Sequence, residues 1–131
     1  MYKRQEEVTG EYFTANGERV RSKSEIIIAD HLRRYGVVYK YEKPLELTVH
    51  GRRVTFYPDF TVMNSRTGRI YYLEHFGMMD NEDYYNAVLR KLDAFEMNQL
   101  LIGRDVLLLH ESSSAPLNTR VLDCYIQEYL V

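Results

Sequence analysis

Residues 105–111, DVLLLHE, constrain the fold more than any other stretch of this chain. The run is short and almost wholly apolar, without the polar–apolar alternation of a half-buried strand. It therefore reads as a strand buried on both faces, and such strands lie inside sheets covered on both sides. Helices stand on either side of it in sequence. From Asn81 to about Met97, Tyr85, Val88, Leu92 and Phe95 recur on one helical side. Asp80 is the expected N-cap, and Glu82 and Asp83 suit the first turn. Residues 112–116 read as a loop. Residues 118–130 read as a closing helix with Val121, Leu122, Tyr125, Ile126 and Tyr129 on its apolar face.

Upstream, RSKSEIIIADHLRRYG predicts a helix over about 23–35. Ser22 followed by Glu25 is a capping-box spacing, Ile27, Ile28, His31, Leu32 and Tyr35 follow at helical intervals, and Gly36 is a suitable stop. VVYKYE (37–42), LELTVH (45–50), VTFYPDFTVM (54–63) and RIYYLEHF (69–76) read as strands, with Pro58 disrupting the third. The order is helix, three or four strands, helix, strand, helix. That predicts an α/β or α+β fold with a mixed central sheet. No repeat or linker divides the 131 residues, so a single domain over 1–131 is expected. Residues 1–20 would form a peripheral arm or a short hairpin around Asn16-Gly17.

Composition narrows the classes. One cysteine, Cys124, excludes a disulfide scaffold and suits a reducing compartment, so the cytoplasm is the expected location. Cys124 lies on a helical face and is expected to be buried. No apolar run approaches the ~20 residues of a membrane helix, and no apolar segment follows the charged start, so neither a membrane span nor a signal peptide is expected. Net charge is −2, which gives no general attraction to nucleic acid. The charge is uneven, however. Residues 1–53 carry 11 Lys and Arg against 8 Asp and Glu, and residues 54–131 carry 6 against 11.

Three acidic residues hold the chemical interest. Asp59 follows Pro58 inside an apolar strand, where a carboxylate is costly unless paired or bound to metal. Glu74 lies near the end of the next strand. A short turn joins the two strands, which brings the carboxylates within a few ångströms, and converging carboxylates repel unless a cation sits between them. Oxygen donors of this kind select Mg²⁺ or Mn²⁺. Glu25 starts the first helix. Each has a plainer use: Glu25 closing the capping box, Asp59 accepting backbone N–H groups after Pro58, Glu74 as a solvated strand end.

A helix-borne Glu25, Pro58-Asp59 in a strand, and Glu74 at the end of the next, within helix–strands–helix–strand, resemble the PD-(D/E)XK nuclease superfamily over about residues 20–112. RSKSE, YEKPL, YPDF and LEHFG together resemble a subgroup found as nuclease domains attached to superfamily 1 helicases and as stand-alone proteins. The resemblance implies a restriction-endonuclease-like core and Mg²⁺-dependent hydrolysis of DNA phosphodiester bonds. It implies metal held by Asp59, Glu74 and the backbone carbonyl of His75, with Glu25 taking a second ion directly or through a water. Arg21 and Lys23, beside Glu25 at a helix start, suit phosphate. A helicase or other DNA-processing partner, or a homodimer, would supply targeting.

The departure is at the last motif position, where the superfamily pattern has a lysine two residues after the second acid. Here that residue is Phe76. Lys91 on the following helix is one replacement, within a subgroup pattern matched by Tyr84, Lys91 and Phe95. Its plain alternative is a solvated helix flank. His75 is the second replacement, although strand alternation points its ring away from Glu74. No replacement at all is the third, which would leave a catalytically weak or inactive DNA-binding or interaction module on the same fold. An accessory domain with no nucleic-acid role would leave Glu25, Asp59 and Glu74 apart. His31 is expected to be a satisfied core residue, and the twelve tyrosines mostly to serve packing.

Overall fold

The structure, a computed structural model, describes residues 12–131. The first eleven residues of the expected arm lie outside the described residues. The rest of the arm is a hairpin of β1 (Tyr12–Phe13) and β2 (Arg19–Val20). Its turn is held by the Gly17 amide donating to Thr14 O, and it is tied to the next helix by the Ala15 amide donating to Asp30. Val20 is fully buried, so the hairpin closes one end of the core.

Helix α1 (Lys23–Arg34) begins at Ser22, whose hydroxyl accepts the Glu25 amide as the capping spacing predicts. The polypeptide then runs through β3 (Val38–Tyr41), β4 (Leu45–Val49), β5 (Arg52–Phe56), β6 (Phe60–Met63) and β7 (Ile70–Phe76). The expected strand over 54–63 is in fact two. Pro58 has no N–H for a ladder, and the chain leaves one sheet at Phe56 and enters another at Phe60. β4 and β5 pair as a separate antiparallel hairpin. His50 and Gly51 form its two-residue turn, both with positive φ (50° and 77°). A residue in that conformation matches the right-handed twist of the flanking strands.

The central sheet has the order β3-β6-β7-β8, where β8 is Val106–His110. β3, β6 and β7 are antiparallel neighbours, and β7 and β8 are parallel. The fold is thus α+β with a mixed sheet. The parallel pair needs a crossover, and α2 (Glu82–Met97) provides it. Its N-cap is Asn81, not Asp80: the Asn81 side chain accepts the Tyr84 amide, while Asp80 accepts the amide and hydroxyl of Ser113. The closing helix is α3 (Thr119–Tyr125), continued by a wider π turn over Ile126–Leu130.

Two apolar layers cover the sheet. On one face Phe60, Val62, Leu73, Leu107 and Leu109 pack under Ile28, Ala29 and Leu32 of α1 and Leu122 and Ile126 after it. On the other, Val106, Tyr72 and Leu108 pack under Ala94 and Phe95 of α2 and Leu47 and Phe56 of the β4–β5 hairpin. The 105–111 run is therefore buried from both sides, as its lack of alternation requires. Five inward assignments fail. Ile27, Tyr35, Tyr85 and Val121 are exposed, and so is Cys124. Tyr84 turns inward in place of Tyr85, because the α2 contact is centred on Val88 and Phe95. His31 is half-buried, with Nδ1 on the Ile27 carbonyl. Among the described residues, no helix is long and apolar enough to cross a membrane.

Candidate active site

The site lies where β6 begins, β7 ends and α1 starts, beneath α2. Register sets its first pair. Phe60 stands opposite Leu73, so the next step outward sets Asp59 opposite Glu74. The Tyr72 amide and the Phe76 carbonyl bond towards β8, so Glu74 also bonds that way and faces Asp59 as a non-hydrogen-bonded pair, the closer kind. The two carboxylates are cross-strand neighbours because of strand pairing alone.

The following step explains the proline. It sets Pro58 opposite His75, whose amide and carbonyl point towards β6. Pro58 has no N–H, so β6 offers the His75 carbonyl no ladder donor. The His75 amide donates instead to Asp59 Oδ2 at 2.7 Å. Pro-Asp thus ends the ladder, leaves a carbonyl facing the acidic pair and anchors the Asp59 carboxylate.

Lys91 closes the site from α2. Its Nζ lies 2.5 Å from Glu74 Oε1 and 3.4 Å from the Tyr57 carbonyl. The ammonium that Phe76 cannot supply reaches the second acid from the helix above. Phe76 itself is buried. Nearby, the Tyr84 hydroxyl, one helical stretch before Lys91, accepts the Gly77 amide at 2.8 Å. Glu74 is 0% exposed, and among the described residues its Oε2 has no hydrogen-bond partner. Burial pushes Glu74 up to about 8; the Lys91 ammonium pulls it down only in part, and Asp59 pushes it further up. Burial opposes the charge on Lys91, but Glu74 and Asp59 outweigh it and hold the ammonium above its ordinary range.

Glu25 approaches from the start of α1 and is 4% exposed. Its Oε1 accepts the Arg21 amide at 2.8 Å and the Tyr41 hydroxyl at 2.9 Å. This is nearly the expected capping box, displaced by one residue because the carboxylate reaches the Arg21 amide and not that of Ser22. Burial first and the Asp59 charge second push Glu25 up to about 7. Burial and the charge on Glu25 also hold the Tyr41 hydroxyl far above its ordinary range. Glu42, buried with φ 49°, donates its amide to the Asp59 carbonyl at 3.0 Å.

The remaining expectations divide. The His75 ring points to the face of β7 away from Glu74, where its Nε2 meets Glu111. Arg21 Nε is bonded to Glu42 at 2.7 Å, so its guanidinium braces the site wall. Lys23 is exposed beside it. Tyr41, Glu42, Tyr84, Ser24 and Glu111 also shape the site. Tyr84 had a signal in its spacing from Lys91; the others act through contacts that sequence distance hides.

The donor set suits a hard divalent cation. Asp59, the unpartnered Oε2 of Glu74 and the His75 carbonyl are oxygen donors, and the excess of carboxylates over ammonium is what a cation would neutralise. Among the described residues, no three His, Cys, Asp or Glu side chains are grouped to hold an ion as they stand. The set is instead two carboxylates and a main-chain carbonyl, with Lys91 already on one of them.

No protein-family model matches the chain. It is similar to Uncharacterized protein MJ1519 of Methanocaldococcus jannaschii, with 30% identity over 123 residues. The match covers 84% of this chain and 10% of that protein. The chain therefore spans about a tenth of the length of this relative.

Proposed function

We propose that the chain is a metal-dependent deoxyribonuclease with a restriction-endonuclease-like core of the PD-(D/E)XK type. One observation carries the reading: an ammonium from α2, Lys91, sits on Glu74, the cross-strand neighbour of Asp59. An acid pair with a lysine on the second acid is what the resemblance to the superfamily implies for phosphodiester hydrolysis, although the lysine comes from a different element than the motif expects.

Asp59, Glu74 Oε2 and the His75 carbonyl would hold Mg²⁺ or Mn²⁺, and Glu25 a second ion directly or through a water. When bound, such an ion lowers the pKa of a water and stabilises the charge that develops on the leaving oxygen. The chain's own residues do the rest. Lys91 has one donor left after Glu74 and the Tyr57 carbonyl, and it would orient the attacking water towards phosphorus. Asp59 is kept in place by the His75 amide, so its orientation costs nothing at the moment of reaction. Exposed Lys23 would meet a DNA phosphate. Targeting would come from a DNA-processing partner such as a helicase, from self-association, or from the shape of the substrate.

The test is incubation of the purified protein with linear, circular, single-stranded and branched DNA in Mg²⁺, Mn²⁺ or EDTA, beside Asp59→Ala and Glu74→Ala. Metal-dependent cutting lost in both variants is the expected result. DNA binding with no cutting on any substrate would replace this reading with a non-catalytic module on the same fold.

A further inference from the structure

The proposed reaction uses one face of β7. The opposite face carries a second charged group that it leaves untouched. His75 Nε2 lies 2.5 Å from Glu111 Oε2, and the Ser24 hydroxyl donates to the same oxygen at 2.6 Å. The group joins three elements: the end of β7, the residue after β8, and the first turn of α1. Glu111 is itself fixed by its backbone, its amide donating to Phe76 O at 2.8 Å and its carbonyl accepting the Met79 amide at 3.2 Å. The ring of His75 is confined as well. A Cβ on Gly77 would stand 3.2 Å from its Cε1, so glycine leaves the ring its room.

These bonds close a circuit around the candidate site. Asp59 accepts the His75 amide, the His75 ring meets Glu111, and Glu111 accepts Ser24. Ser24 adjoins Glu25, which accepts Tyr41, and the next residue, Glu42, returns to the Asp59 carbonyl. Glu111 joins this circuit although it lies far from Glu25 and Asp59 in sequence.

We propose that Glu111 is a positioning residue for the candidate site. By holding the His75 ring and the Ser24 hydroxyl on one oxygen, it sets the end of β7, with its free carbonyl, against the start of α1, with Glu25. The proposal rests on the metal-binding reading above for its effect on an ion, but the brace itself can be read without one.

Two measurements on Glu111→Ala, Glu111→Gln and Ser24→Ala test it. The first is Mn²⁺ affinity by calorimetry on folded protein. Loss of an outer-shell partner typically weakens metal binding by 10–100-fold, so Glu111→Ala should fall in that range. Glu111→Gln, which can still accept both bonds, should stay within a few-fold of wild type. The second is amide exchange without metal. Exchange at the His75 amide should quicken by about tenfold or more in Glu111→Ala, with Leu73 and Leu107 unchanged. Wild-type Mn²⁺ affinity in folded Glu111→Ala together with an unchanged His75 exchange rate would overturn the proposal. Should the wild type bind no Mn²⁺, the metal reading fails by itself, and His75 exchange still decides the brace. If Glu111→Ala does not fold, Ser24→Ala must show the same pattern at smaller size; no change there counts against the brace.

Discussion

Two hydrogen-bonded pairs stand back to back on β7, one residue apart, and they are built in opposite ways. Glu74 is wholly buried, shares one oxygen with Lys91, and keeps the other without a partner among the described residues. Burial drives its proton affinity up. Glu111 is partly exposed and accepts from Ser24 and His75; burial alone would raise it, but those two bonds hold it below the ordinary carboxylate range. The satisfied pair ties three elements together. The unsatisfied pair sits beside Asp59 and Glu25, which makes three carboxyl groups to one ammonium. A buried polar atom without a partner costs roughly 1–3 kcal/mol, a cost that a cation would relieve on the α2 face of β7 under the proposed reading.

The largest expected effect breaks the unsatisfied pair. Under the proposed nuclease reading, Lys91→Met should lower the single-turnover cleavage rate by about 10²–10⁴-fold, the usual contribution of a positioned proton-transfer or water-orienting group. It should not abolish Mn²⁺ binding, since the carboxylates remain and the ammonium that competes for Glu74 is gone. A rate within a few-fold of wild type would remove Lys91 from the chemistry and leave it as a counter-ion.

The pH dependence of stability is next in size. Glu25 and Glu74 hold their protons in the folded, metal-free chain to about 7 and about 8, and an unfolded chain releases them near the ordinary carboxylate range. The folded state therefore binds more protons between those values. The stability this gives is fully present below the unfolded pKa and is lost as pH rises through 7 to 8. Each extra proton held by the folded state makes the fall steeper by about 1.4 kcal/mol per pH step of one. Thermal melts of metal-free protein should show a lower Tm at pH 8.5 than at pH 5.5. Mn²⁺ should raise Tm more at pH 8.5, where the carboxylates are open to it. A Tm that climbs steadily with pH would mean both carboxylates are comfortable as anions, and the contrast between the two faces would vanish.

The sequence and the structure agree best where a short-range rule is enough. The Ser22 cap, the limits of α1, the end of α2 and the buried strand at 106–110 follow from periodicity and capping, while the cap of α2 falls on Asn81 and not on Asp80. The approach of Asp59 to Glu74 follows from a turn between adjacent antiparallel strands. Agreement fails where partners are remote. Glu111 reads only as the polar end of an apolar strand, since nothing local marks its bonds to residues 36 and 87 positions away. Glu42 reads as the last residue of the strand over 37–42, yet it lies beyond that strand, buried with a left-handed backbone. Lys91 is the intermediate case: its spacing from Tyr84 places it on the right helix, but only tertiary packing decides whether that flank faces water or Glu74.

The smallest effect tests the proline, and it separates a ligand from a brace. Pro58→Ala would return an N–H to the segment that precedes β6, on the side of the His75 carbonyl. If the free His75 carbonyl serves the cation, an amide donor there competes with it, and Mn²⁺ affinity should drop by about tenfold, in the range seen when a site's surrounding partners are altered. The hydrogen bond gained is worth about 0.5–1.5 kcal/mol, and losing proline's restriction of the unfolded chain costs about 0.4–1 kcal/mol. The two nearly cancel, so Tm should scarcely move. Weaker metal binding at unchanged Tm is a signature that neither a packing defect nor a general loosening of β6 produces. Unchanged affinity would instead confine the cation to the carboxylates and leave Pro58 with one task, ending the ladder so that Asp59 can turn to the His75 amide.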